Sequence, residues 1–284
     1  MGHGKLRKFA ENETFACLVQ PSADEVLDGR GKEFSLKDHP LKGRWNEKMF
    51  DAPRPVILEL GCGRGEYTID LARRNPQYNY IGVDIKGARL WRGAKFATQN
   101  KLGNVAFLRT RIEFIPAFFA PGEVSQIWLT FSDPQLRHEN SRLSSPIFIE
   151  RYLKFLSPGG LIHLKTDSMF LHQYTLHLCR ENGLPVLACC QDLYGSASSS
   201  RREALGASDE LSDSQIDAIF EVQTYYETMF MRQGYKITYL CFKPLPASSE
   251  EGHIVSPASF DADYWRSVEG PRHSVSIPDL SLIP

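Results

Sequence analysis

At 284 residues, with 42% hydrophobic and 24% charged side chains, the chain holds enough apolar material for one large domain or two small ones, which excludes fibrous and wholly disordered classes. No apolar run of about 18 residues or more occurs, and the start MGHGKLRKFAENETF has no apolar stretch of signal-peptide length, so a soluble cytoplasmic protein with no membrane contact is expected. A formal net charge of −1 and a pI near 6.7 argue against general electrostatic attraction to nucleic acid. Any such partner must meet a local basic patch. Three are candidates: Lys5, Arg7 and Lys8; Lys42, Arg44 and Lys48; Arg89, Arg92 and Lys95. Cys17, Cys62, Cys179, Cys189, Cys190 and Cys241 are scattered without CxxC spacing, so reduced thiols are expected and no metal site.

In chain order, residues 1–50 lack a clear period and are expected to form an arm or lid with one short helix. From Pro55, short apolar runs alternate with longer amphipathic ones, the pattern of an α/β fold built on a mostly parallel sheet. Strands are predicted at Pro55–Leu60, Asn79–Ile85, Asn104–Arg109, Ile127–Phe131 and Gly160–Thr166. Helices are predicted at Tyr67–Arg74, Ala88–Gln99, Ile147–Phe155 and Phe170–Glu181. VLACCQD and YKITYLCFK read as sixth and seventh strands, the last antiparallel at or near an edge, with a helix around Asp213–Phe220 between them. A domain at 51–244 is therefore expected, followed by a Ser-, Pro- and acid-rich flexible tail at 245–284.

The sharpest motif is the strand-GCGRG-helix junction. Gly61, Gly63 and Gly65 suit a tight turn with unusual dihedrals and a ligand packed against the main chain. The spacing is GxGxG, not the GxGxxG of dinucleotide enzymes, and Glu59 stands beside it. A carboxylate there would repel a pyrophosphate, and it favours a cationic, phosphate-free ligand such as S-adenosylmethionine. Asp84 ends the second strand about 20 residues on, where a doubly wound fold presents an acid to ribose hydroxyls.

Across the same crevice, the ends of the fourth and fifth strands carry Phe131-Ser132-Asp133-Pro134 and Lys165-Thr166-Asp167. Carboxylates at these positions can accept from the N1–H and amino donors of a guanine and oppose positive charge developing on a purine alkylated at N7. Each acid also fits a turn or a helix N-cap. Arg137, His138 and Arg142 follow in a polar loop suited to phosphates or a target nucleotide, or to plain solvation. Thr224 and Glu227, three residues apart, share a helix face or form a capping box.

Taken together, ILELGCGRGEY, NYIGVDIKGAR, the FSDP turn, LSPGGLIHLKTD and TYYETMF resemble, in order and spacing, the bacterial tRNA (guanine-N7)-methyltransferase family, over roughly Pro55 to Lys243. The resemblance implies a class I S-adenosylmethionine-dependent methyltransferase, with a Rossmann-like, mostly parallel seven-stranded sheet and helices on both faces. It implies Glu59, Asp84 and Asp133 as cofactor-side positions, Asp133 also as catalytic residue, and Arg137, Asp167, Thr224 and Glu227 as tRNA contacts. The implied target is a guanosine in the variable loop of elongator tRNAs, and the protein acts as a monomer or homodimer. The sequence departs from the family in having FSDPQ and LRHENSRL where FPDPW and a strongly basic run are usual. A family acid near the cofactor's adenine aligns with Arg111, which leaves adenine to backbone groups or stacking and turns Arg111 toward cofactor or RNA. The alternatives are a class I methyltransferase acting on another substrate and a non-catalytic RNA-binding relative.

Overall fold

The computed structural model describes residues 3–30, 33–195, 198–245 and 253–269. Ten strands run β1 (Leu18–Val19), β2 (Leu27–Arg30), β3 (Glu33–Leu36), β4 (Val56–Leu60), β5 (Asn79–Asp84), β6 (Val105–Arg109), β7 (Val124–Thr130), β8 (Leu156–Thr166), β9 (Val186–Cys190) and β10 (Thr238–Phe242). The helices are α1 (His3–Asn12), α2 (Ala23–Val26), α3 (Trp45–Lys48), α4 (Glu66–Arg74), α5 (Gly87–Gln99), α6 (Pro146–Leu153), α7 (Met169–Glu181), α8 (Arg201–Leu205), α9 (Asp213–Glu221), α10 (Tyr225–Arg232) and α11 (Ala262–Glu269).

Eight strands form one sheet in the order β1-β6-β5-β4-β7-β8-β10-β9, and β2 and β3 pair separately. All neighbours in the large sheet are parallel except β10, which is antiparallel to both β8 and β9. The α/β expectation holds with one strand more than the seven predicted. The extra one is β1, two residues that join the edge beside β6, too short to carry a period. Strand order reverses between β4 and β7, and the carboxyl ends at that switch point open the crevice where ligands of such sheets bind.

Side chains alternate across the sheet, and both faces are covered. Leu58, Leu60, Ile81, Val83, Ile127 and Leu129 pack one face against Phe148, Ile149, Tyr152 and Leu171 of α6 and α7. Ile57, Tyr80, Phe107, Trp128 and Tyr239 pack the other against Tyr67, Leu71, Leu90 and Ala94 of α4 and α5. At β7 the indole of Trp128 stacks on His163 of β8, 4.2 Å between ring centroids.

Residues 1–50, expected as an arm, contribute to this domain. Phe15, Leu18 and Trp45 are buried, and the Trp45 indole donates to the Phe118 carbonyl at 2.8 Å. Residues 253–269, within the expected tail, also lie against it. Ile254 is only 1% exposed, and Phe260 meets Phe170 and Tyr174 edge-on. Two isolated apolar residues dock here without making a periodic pattern. The remainder of the expected tail lies outside the described residues. All six cysteines are free thiols, and among the described residues no helix is long and apolar enough to cross a membrane and no acid, Cys or His cluster suits a metal.

Candidate active site

The β4–α4 turn is built on three left-handed glycines: Gly61 at φ 80°, Gly63 at φ 57° and Gly65 at φ 72°. They serve different purposes. A Cβ on Gly61 or Gly63 would project into open space, whereas one on Gly65 would come within 2.5 Å of the Phe107 ring. Gly65 is therefore demanded by packing, and Gly61 and Gly63 leave a bare main-chain surface beside the crevice. Asp84 braces it: one carboxylate oxygen accepts the Gly63 N–H at 3.0 Å and the other the Lys86 N–H at 2.7 Å.

Glu59 sits at the floor, 4% exposed, on the sheet face that α4 covers. Its carboxylate accepts from the Thr130 hydroxyl at 2.5 Å and from the Thr68 hydroxyl. Burial pushes this carboxyl up to about 7, although both hydroxyls pull it down.

Two clefts meet at Gly61. The larger, about 610 Å³, runs from Gly61 past Asp84, Ile85, Thr110 and Arg111 to Glu113. The smaller, about 340 Å³, is bounded by Glu59, Gly63, Tyr67, Thr130, Thr224 and Phe230, with Arg64 and Arg89 at its walls. This pair fits S-adenosylmethionine. The glycine main chain admits close approach, two carboxylates face a cation, and the wider arm has space and apolar surface for an adenine. Arg111 lines that arm, pairs with Glu113 at 3.3 Å and lies over the Phe114 ring. A carboxylate thus remains available two residues beyond Arg111.

Beyond β7 the chain enters a loop held in an uncommon shape. Phe131 and Gln135, on either side of the Asp-Pro step, have φ of 49° and 47°, left-handed values costly for residues other than glycine. Asp133 is exposed, and its carboxylate accepts the Gln135 N–H at 3.0 Å. Arg142, expected from sequence to face RNA or plain solvent, is instead buried behind the loop. It donates to the carbonyls of Pro134, Gln135 and Leu136 at 3.2–3.3 Å and lies over the Tyr174 ring. Arg266 of α11 adds a fourth hydrogen bond, to the Leu136 carbonyl at 3.1 Å. Arg137 stays exposed.

The remaining predicted contacts divide. Asp167 is half-buried, and the cap of α7 is Ser168, whose hydroxyl accepts the Leu171 N–H at 3.1 Å. Thr224 caps α10 and lines the smaller cleft. Glu227 completes its capping box but is wholly buried, 2.8 Å from the ammonium of Lys165 and accepting from the Tyr194 hydroxyl at 2.6 Å. In this conformation it offers no surface to a substrate. Sequence reasoning missed Thr68, Thr130, Lys165 and the cleft-lining Phe230; Thr68 meets Glu59 across the strand–helix turn, and Thr130 and Lys165 meet Glu59 and Glu227 from more than 60 residues away.

A family model described as "Putative methyltransferase" matches residues 53–194. A protein named tRNA (guanine-N(7)-)-methyltransferase from Christiangramia forsetii is 45% identical over 84% of this chain and 97% of its own length. One of the same name from Bacteroides fragilis is 43% identical over 96% of this chain and 98% of its own. The chain belongs to the tRNA (guanine-N(7)-)-methyltransferase family. Among solved structures, the 16S rRNA methyltransferase KamB aligns over 76% of this chain and 98% of its own, at 15% identity and a TM-score of 0.49. A methyltransferase of this family needs a methyl donor, and the crevice at Gly61 is where the residues of this chain fit S-adenosylmethionine.

Proposed function

We propose that this protein transfers a methyl group from S-adenosylmethionine to N7 of a guanosine in the variable loop of tRNA, in the cytoplasm, as a monomer or homodimer. The observation that carries this reading is the meeting of two clefts at Gly61, one sized for a nucleoside and one walled by Glu59 and by Arg64 and Arg89, in a chain of this family. When bound, the cofactor supplies a methyl group on a sulfonium, and transfer forms the N7–carbon bond as the sulfur–carbon bond breaks and its electron pair stays on sulfur.

N7 already carries a lone pair, so no residue has to remove a proton first. The chain's part is alignment and electrostatics. Gly63 and Asp84 present the donor, Asp133 and Asp167 follow the ends of β7 and β8 on the substrate side, and Arg142 holds the Asp133 loop from behind. Arg137, exposed on that loop, faces outward to meet phosphate. Incubating unmodified tRNA with protein and methyl-labelled cofactor, then digesting to nucleosides for mass spectrometry, should yield labelled 7-methylguanosine mapping to the variable loop. Label in another nucleoside, or none in tRNA while a small molecule or protein is labelled, would overturn this reading.

A further inference from the structure

Of the three basic clusters in the sequence, one has every member paired with a carboxylate within the fold. Lys42 pairs with Asp38 at 2.6 Å, and Arg44 and Lys48 both pair with Glu47. The other two, some 80 residues apart in the chain, come together because α1 lies along α5. Glu11 of α1 clamps the pair, accepting from the Trp91 indole at 2.7 Å and the Lys95 ammonium at 2.8 Å, and Asn12 donates to the Gly87 carbonyl at 2.9 Å.

These two helices together carry six cations and one carboxylate, in a protein whose net charge is −1. Lys5, Arg7, Arg89 and Arg92 are exposed, and among the described residues Lys5, Arg7, Lys8 and Arg89 have no carboxylate partner. Lys8 and Lys95 stand over the Trp91 ring, at 4.7 and 4.9 Å from its centroid. The stripe is continuous with the candidate site, since Arg89 at the head of α5 also walls the smaller cleft.

We propose that this α1–α5 face is where the phosphate backbone of the tRNA substrate docks, leading the target nucleotide to the cleft at Arg89. The proposal rests on the substrate reading above. Phosphate contacts fix position without reading sequence, and a chain with no net positive charge must concentrate them in one place. A rigidly clamped basic stripe running to the site, four of its six cations without a carboxylate partner among the described residues, meets that need, and its charge complements a polyanion better than any other partner.

The test uses Lys5→Gln, Arg7→Gln and Lys8→Gln combined, leaving α5 and the clefts intact, beside Lys42→Gln with Lys48→Gln in the paired cluster. Binding of unmodified tRNA is measured from 50 to 200 mM salt, with cofactor affinity by calorimetry. We expect the triple variant to bind tRNA at least about 10-fold more weakly at 50 mM salt, with a log–log salt slope smaller by about 2, since each phosphate contact contributes roughly 0.7–0.9. Cofactor affinity, and tRNA binding by the Lys42/Lys48 variant, should match the parent. In the parent protein, bound tRNA should shield Lys5 and Lys8 from acylation but leave Lys42 and Lys48 reactive, a readout that needs no variant to fold. Parental affinity and slope in the triple variant, equal loss in the Lys42/Lys48 variant, or unshielded Lys5 and Lys8 would overturn the docking surface while methylation by the parent left the substrate standing. A parent that neither binds nor methylates tRNA would remove both.

Discussion

At the level of single residues, Glu59 ties the cofactor site to pH. Its buried carboxyl is raised from 4.5 to about 7, so the folded chain holds that proton more tightly than the unfolded one. Without cofactor, the contribution of Glu59 to stability should be fully present below about pH 4.5 and be lost, by about 3 kcal/mol, as pH rises through 7. Glu59→Gln should flatten that loss in urea titrations run across this range. A cationic ligand beside Glu59 favours the carboxylate, so cofactor affinity should rise between pH 6 and 8 with release of a proton. Calorimetry in two buffers of different ionisation heat would detect the release, and finding none, or finding it unaltered in Glu59→Gln, would exclude the contact. Asp133 poses a different question, because its hydrogen bond to Gln135 is one that asparagine could also make. If the charge opposes the growing purine cation, Asp133→Asn should slow single-turnover methylation by about 10²-fold at saturating cofactor. A rate within a few-fold of the parent would leave Asp133 as a turn former.

Among the elements, α9 and α10 are held by the buried Lys165. Its ammonium donates to the carbonyls of Ile219 and Val222 at 2.7 and 3.0 Å and pairs with Glu227, fixing the turn that brings Thr224 and Phe230 into the smaller cleft. Burial draws the Lys165 amine below its usual range, while Glu227 opposes the shift. Lys165→Met would strand the Glu227 charge, so unfolding free energy should drop by about 3–5 kcal/mol. Adding Glu227→Gln should restore a large part of it, as denaturant melts can show; equal stability of the two variants would mean that the pair is not coupled. The contrast between these residues explains what the sequence disclosed. The Thr224–Glu227 box, the glycine turn and five of the helices (α4, α5, α6, α7 and α9) announce themselves through neighbours three or four residues apart, and seven strands through their apolar runs. Lys165 is 62 positions from Glu227, and Thr130 is 71 from Glu59, distances at which no local pattern survives. Arg142 looked like any loop cation until the aromatic rings of α7 were found beneath it.

Across the whole molecule, the C-terminal segment of the described chain reaches the Asp133 loop. Ile254 and Phe260 bury against the α7 face, Glu181 accepts the N–H groups of Ala258 and Ser259 at 2.7 Å, and Arg266 helps hold the Asp133 loop. A chain ending at Leu245 should therefore lose at least about 2 kcal/mol of stability, the scale for exposing one large aliphatic side chain, and turn over more slowly. An unchanged thermal transition would show that the docking is idle. Strand order adds a further consequence, for synthesis. β10 lies between β8 and β9, the last strand made separating two made earlier. Until it leaves the ribosome, β9 has no neighbour in the sheet and the outer edge of β8 stays open. A released fragment ending at Gly234 should then present β4 to β8 protected and the region from Val186 onward open to protease, a chain whose sheet is left with an unfilled slot until its last strand is made.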